Sequence, residues 1–586
     1  MKHVLTAGAF PLVALVSLSG CIDNNYDLSD IDTTSEFKIK DLIVPINIDP
    51  ITMGDIFDIK EGDKIQVVTI NGQTFYAINE KGSFRSDPVE IPQFSASAPY
   101  LTPVTIPFST GRVSMGAGDA ISIPLPGEVR KTLSYKVGNV HEAIQRLNEI
   151  FIDRATFVIR FAVADVPSGV SLSLDNVALT IPKGLDIDGA SPAGNYSYYD
   201  GRYSVSHLPL VDGVGEISVS VSKINLEANG CYINNGSFNL TSGFNIEKGD
   251  LVVSADTEVT ALPTEIAVNV NYSIPEINVK AVSGTIEYTF DGSGLGIAPI
   301  DLTDIPDFLA GDDTDLILAS PQIYLSVNNP MANFGWDYVS GFDLTAVRGN
   351  GSSKVYSPDS GKIGVGHSKP LGARYEYRLS PDLRADQIYL PEGYSNPEHE
   401  LFSTLGEVLS GDGLPERIEV DLVNPHILKQ TVTKFLLGTQ FPSLEGDWEF
   451  IAPLAFTAND GVESKIVYTH TASGWGGEDL DALTIKILEV SMTVDNNLPL
   501  DANLTGYPID VNGNQIGNVT IEGAVIPANA KDHDVTLYIT GEIQHFDGIT
   551  FSALVRPSSD NPLAPSQTLT LNNIRAKVSG NYTKEL

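Results

Sequence analysis

In the stretch Glu265-Ile266-Ala267-Val268-Asn269-Val270-Asn271-Tyr272-Ser273-Ile274, large apolar side chains fall on every second residue. A strand sends successive side chains to opposite faces, so this run buries one face and leaves the other in water. The same period returns in Ile217, Val219 and Val221, with serines between them, and in Val535, Leu537 and Ile539. Half-buried strands of this kind belong to antiparallel sheets packed in sandwiches. Asn71-Gly72, Asp200-Gly201, Asp460-Gly461 and Asn512-Gly513 sit between strand-like runs. These dipeptides accept the positive φ angles that a two-residue hairpin needs.

The composition agrees with strands and turns. The chain carries 52 Gly and 35 Pro against 5 Met, an excess that many turns would use and long helices would not tolerate. The length of 586 residues exceeds what one hydrophobic core can organise and suggests about three to five domains. The expected fold is all-β: tandem antiparallel β-sandwich (Ig-like) domains with a few short helices. The expected division is a signal peptide 1–20, an acidic tether 21–45, a β-rich domain 46–185, a β-sandwich domain 186–300, a β-sandwich domain 301–430 with a short helix, and a β-sandwich domain 431–586.

The spacing predicts a helix over Asn139 to Phe151, with Val140, Ile144, Leu147 and Phe151 on one face. A second follows Ser395-Asn396-Pro397-Glu398, which reads as an N-cap with Pro in the first turn. It would present Leu401, Phe402, Leu405, Val408 and Leu409. Asp304 to Ala310 predicts a shorter helical turn. Each is followed by a β-rich run, and two of those runs end alike, in Asn328-Asn329-Pro330 and Asn424-Pro425, with Ile48-Asp49-Pro50 as a looser echo. Asn-Pro terminates a strand readily, since Pro donates no ladder hydrogen bond. A repeated helix–turn–strand unit is therefore expected.

No catalytic constellation stands out. Gly366-His367-Ser368-Lys369-Pro370 begins like a nucleophile elbow but lacks its last glycine. Ser220-Val221-Ser222-Lys223 has the Ser-x-x-Lys spacing, on an alternating strand where a helical turn is needed. The nine histidines are scattered, with no zinc motif. Asp510-Val511-Asn512-Gly513-Asn514 opens like a calcium loop, but Gln515 and Ile521 stand where Gly and Glu are required, and a hairpin explains it better. Asp312, Asp313 and Asp315, with Glu478, Asp479 and Asp481, read as solvated acidic loops. No enzyme activity, metal or other cofactor is expected.

Aromatic residues carry the best binding signal. Trp475 lies in Ser473-Gly474-Trp475-Gly476-Gly477, with few neighbouring side chains to cover an indole. An exposed ring beside Glu478 and Asp479 would stack on a sugar face while the carboxylates take hydroxyls. The plainer alternative is that the indole folds back onto its own domain, as large aromatics usually do. Tyr196, Tyr198 and Tyr199, before the Asp200-Gly201 turn, form a second candidate. Trp336 and Trp448 read as core. Cys231, with no partner once Cys21 is committed elsewhere, reads as a small buried residue.

The N-terminus supplies the address. Met1-Lys2-His3 is basic, Val4 to Leu18 carries no charge, and Leu18-Ser19-Gly20-Cys21 follows. The apolar stretch is short for a membrane span, and it ends in what resembles a lipobox, whose Cys21 thiol accepts diacylglycerol. The acidic segment Ile22 to Asp32 resembles the tether of Bacteroidota lipoproteins, although Asn24 and Asn25 follow Asp23 where further acids are usual. Asp32-Thr33-Thr34 resembles the short O-glycosylation site of that phylum. The resemblance implies a lipid-anchored, surface-exposed position at the outer membrane. It also implies a layout similar to glycan-binding lipoproteins that accompany outer-membrane importers.

The formal net charge of −38 repels phosphate backbones, which excludes nucleic acid as a partner. It would also hold the folded part off an anionic bilayer. The expected function is non-catalytic binding of a glycan or other extracellular ligand. The partners expected are the membrane, through the lipid on Cys21, a glycan, and an outer-membrane protein. The alternatives are a fimbrial or adhesin-type assembly subunit, and a lipid-carrying β protein.

Overall fold

The alternating stretches do form strands, and the strands pair antiparallel almost throughout. The computed structural model describes residues 34–585 apart from 46–50, 53–62, 71, 293–294, 304, 306–308, 310–313, 412–413, 458–463 and 477–481. Cys21, the acidic tether up to Thr33, Ile48-Asp49-Pro50, Asp312, Asp313, the Asp460-Gly461 turn, Glu478, Asp479, Asp481 and most of Asp304–Ala310 lie outside the described residues.

Six sheets make three sandwiches, and these are nested in sequence. The inner sandwich uses residues 94–286 together with Gln430–Leu436. One of its sheets runs in the order Leu185–Ser191, Val214–Asn225, Ile144–Ala162, Glu265–Ser273, Val104–Ser109. The facing sheet runs Tyr196–Tyr199, Arg202–Pro209, Val170–Thr180, Asn245–Ala255, Ala120–Pro124. Phe157, Ile159, Ile217 and Val219 of the first meet Leu179 and Ile181 of the second. The clefts left between these faces have room for about one water each, far short of an acyl chain.

The middle sandwich starts before the inner one and ends after it. Its six-stranded sheet runs Glu398–Leu401, Arg374–Ser380, Gln322–Asn328, Glu445–Pro453, Gln73–Arg85, Ile65–Ile70. Tyr377 donates its hydroxyl across to the Gly364 carbonyl of the facing sheet. The outer sandwich encloses both others in sequence. Its N-terminal strand Thr34–Pro45 pairs along the C-terminal strand Thr568–Glu585, from Thr34 opposite Glu585 to Pro45 opposite Arg575. That sheet continues through Leu483–Asn496 and His533–Ile543 to Val519–Glu522. Its core joins Leu488, Val490 and Leu537 of this sheet to Ile549 of the four-stranded one.

Three boundaries drawn from sequence therefore fall inside folded units. The strand Ile144–Ala162, before 185, pairs with Val214–Asn225, beyond it, with Ile150 opposite Ile224. The last part of the expected tether is a strand of the outer sandwich. Likewise the strand Gln430–Leu436, beyond the cut at 430, pairs with Ile277–Ile286.

The helical expectations fail for a physical reason. Residues 144–151 belong to the 19-residue strand Ile144–Ala162. Its pairing with Ile277–Ile286 slips between Ile144 and Arg146 and again between Leu147 and Glu149. Each slip adds a residue to one strand, so the inward side chains Ile144, Leu147 and Ile150 recur every third position. A twice-bulged strand thus copies the spacing of a helix face. The segment after Ser395 forms the short strand Glu398–Leu401, parallel to Arg374–Ser380, and then a 3₁₀ turn at Leu405–Leu409. The backbone N–H groups of Ser395 and Asn396 are taken by the Glu376 carboxylate, at 2.9 and 3.2 Å. Asn424-Pro425 does not end its strand either, because Arg417–Ile427 continues through it with Asn424 at a φ of 46°. No helix–turn–strand repeat exists among the described residues.

Candidate functional site

The loop around Trp475 is short of side chains, so its backbone must be held from elsewhere. Asp547, 9% exposed, does this. Its carboxylate accepts the N–H of Gly474 at 3.0 Å and of Gly476 at 2.9 Å. Its carbonyl accepts the N–H of Trp475 at 2.8 Å. A Cβ on Gly476 would lie 2.6 Å from the same carboxylate, so a glycine there permits the close approach. The indole is half-buried and meets Phe546 edge-on, with ring centroids 5.7 Å apart. It packs against the core of the outer sandwich. Trp475 thus has one covered face and a fixed position.

The tyrosine group separates into three roles. The hairpin turn has Asp200 at φ 45° and Gly201 at 83°, the doubly positive pair that a tight hairpin demands. Tyr196 stacks on buried Tyr203, with centroids 5.3 Å apart. Tyr198 is half-buried, donates to the Pro182 carbonyl at 3.3 Å, and burial raises its pKa. Tyr199, the residue before the turn, is 84% exposed.

Three loops meet at that turn. Lys183 pairs with Asp200 at 3.0 Å. Asn229 donates its amide to the Lys183 carbonyl. Gly184 accepts from the Asn225 N–H at 2.9 Å, and a Cβ on Gly184 would lie 2.6 Å from the Asn225 carbonyl. The loop carrying Asn229 also carries Tyr232, 69% exposed. Sequence reasoning missed Tyr232, since a lone tyrosine between Cys231 and Ile233 has no pattern to mark it.

The side chains of the motif-like stretches find other partners. His367 bonds to Asp337 at 2.6 Å, but the Ser368 hydroxyl meets Tyr375 instead, at 3.3 Å. The Ser220 hydroxyl faces Thr156 at 2.8 Å, while Lys223 pairs with Glu149 and Asp186. Asp510 folds its carboxylate onto the N–H groups of Asn512 and Asn514, both at 2.8 Å, which is a capped turn. Cys231 is buried with its thiol directed at the Asn239 carbonyl, and burial raises its pKa. Among the described residues no three His, Cys, Asp or Glu side chains gather as a metal site. Among them too, no helix is long and apolar enough to cross a membrane.

No protein-family model matches the chain, and no curated protein matches it. Among solved structures it is similar to a protein assigned as secreted from Parabacteroides distasonis. The two are 14% identical, with 51% of this chain and 90% of that one covered, at a TM-score of 0.34. It is also similar to the Sulfolobus turreted icosahedral virus structure, at 9% identity over 84% of this chain and 100% of that one, with a TM-score of 0.10. Likenesses this remote leave function to be read from the chain's own residues, which define an all-β protein of stacked sandwiches with exposed aromatics on fixed loops.

Proposed function

We propose that this chain is a non-catalytic lipoprotein of the bacterial envelope, anchored at the outer membrane through Cys21, whose sandwiches present a binding site for an extracellular glycan. The address rests on the lipobox-like Leu18-Ser19-Gly20-Cys21. The glycan reading is carried by one observation: Tyr199 is 84% exposed beside a turn tied to neighbouring loops by an ion pair and hydrogen bonds. Leaving such a ring in water forgoes about 2 kcal/mol of burial, and a preordered aromatic face is what a pyranose ring stacks on. Tyr232 on the adjoining loop extends the surface, and Lys183, Asp200 and Asn229 supply polar groups between them.

Soluble protein spanning residues 25–586 should bind at least one member of a broad polysaccharide panel. Replacing Tyr199 and Tyr232 together by Ala should weaken that binding by about 1 kcal/mol per ring, roughly fivefold each. Trp475→Ala in parallel shows whether the indole shares in the site. Silence from the wild-type protein across the panel would end the glycan reading.

A further inference from the structure

We propose that the tether end of the outer sandwich rests on the lipid surface that holds the Cys21 acyl chains, with Phe37 and Trp475 at the interface and Lys38 and Lys40 among the headgroups. The contact builds on the lipidation reading of Cys21 and adds a second, non-covalent point of attachment.

Geometry brings these residues to one end. Thr34 opens the N-terminal strand, and twelve residues separate it from Cys21, a length that reaches at most about 40 Å. Phe37 lies opposite Tyr582, which lies opposite Leu483 in the next strand. Ile485, two residues along from Leu483, lies opposite Ile543, and Trp475 meets Phe546, three residues beyond Ile543, edge-on. The point where the tether enters the fold is therefore also the end that carries Trp475.

This strand is apolar where it meets water. Phe37 is 56% exposed, Leu42 41% and Ile43 54%. Among the described residues it is a sheet edge, paired on one side. Lys38 and Lys40 are exposed along it. The chain has a net charge of −38, yet the two strands 34–45 and 568–585 carry five basic residues against three acidic ones. An aromatic and aliphatic edge flanked by lysines suits the headgroup boundary of a bilayer. A short tether holds this end at high local concentration above the lipid, so a contact too weak to recruit a free protein still forms.

The full lipidated protein, reconstituted into vesicles of phosphatidylcholine and phosphatidylglycerol, tests this through tryptophan fluorescence. Trp336 and Trp448 are buried, 7% and 3% exposed, so quenching by acyl-chain-brominated phosphatidylcholine reports on Trp475. Quenching is expected in the wild-type protein, lost in Trp475→Phe, and reduced when Phe37→Ser, Lys38→Glu and Lys40→Glu are combined. Protein that floats with the vesicles but shows no quenching overturns the contact and leaves the anchor standing. Protein that fails to float overturns the anchor reading, and the contact falls with it. Shielding of Trp475 by a soluble polysaccharide, without lipid quenching, would assign the indole to glycan and overturn the proposal.

Discussion

Glu449 sits on the outward face of the middle sandwich, opposite Tyr324 on one side and Lys81 on the other. Tyr324 is fully buried there under Tyr394, ring centroids 5.3 Å apart. Burial beside this aromatic cover raises the Glu449 pKa above its ordinary 4.5, partly countered by Lys81 and by a hydrogen bond from Asn79. Between the unfolded and folded pKa values the folded chain holds a proton that the unfolded chain has released, so stability falls as pH rises from the unfolded value through the folded one. Glu449→Gln removes that dependence. The variant should melt higher than wild type at about pH 7, and the gain should vanish near pH 4, below both values. Equal melting shifts at both pH values would show that packing, not titration, governs the site. Neither Glu449 nor Tyr232 was legible in the sequence, because burial and exposure depend on which strands become neighbours. Trp475 was legible as a residue with few local covers, but Asp547, which fixes its loop, lies 72 positions away in the chain.

At the scale of elements, the period of two was a dependable guide and the period of three was not. The runs around Ile266, Ile217 and Val535 became strands at their expected positions. The bulged strand Ile144–Ala162 imitated a helix, and only the slipped register of its partner reveals why. The N-terminal strand was absorbed into the expected tether because its edge position leaves it only half apolar. It nevertheless covers one side of Thr568–Glu585, with Leu42 opposite Val578. Removing residues 22–45 should uncover Val578 and leave the backbone of that strand unpaired along one edge. Amide exchange across 568–585 and 483–496 should then quicken, by about a few kcal/mol of opening free energy, while 144–162 stays protected. Unchanged protection at 568–585 would mean that the N-terminal strand contributes nothing to the outer sandwich.

At the scale of the whole molecule, nesting determines which pieces can stand alone. The inner sandwich begins and ends between strands of the middle one, so residues 63–457 contain both complete. That fragment should fold with a cooperative melt. Residues 186–300 contain Val214–Asn225 without its neighbour Ile144–Ala162. Residues 301–430 contain Gln322–Asn328 without Glu445–Pro453. Both should remain unfolded, since each leaves a sheet face uncovered and a row of backbone groups unpaired. A folded 186–300 would contradict the nested arrangement directly. The closing strand pair joins residues more than 500 positions apart, which places the outer sandwich among the last units to form.

What the sequence determined by itself was local. Alternation made strands, and Asp-Gly and Asn-Gly made turns, because each depends on neighbours within a few residues. What only the tertiary structure decided was partnership. It set which strands pair, that the first strand closes on the last, which tyrosines stay in water, and that Asp547 holds the Trp475 loop. Backbone groups of a strand are satisfied by whatever strand arrives beside them, so the sequence specifies that a strand seeks a partner while the assembled fold determines which one.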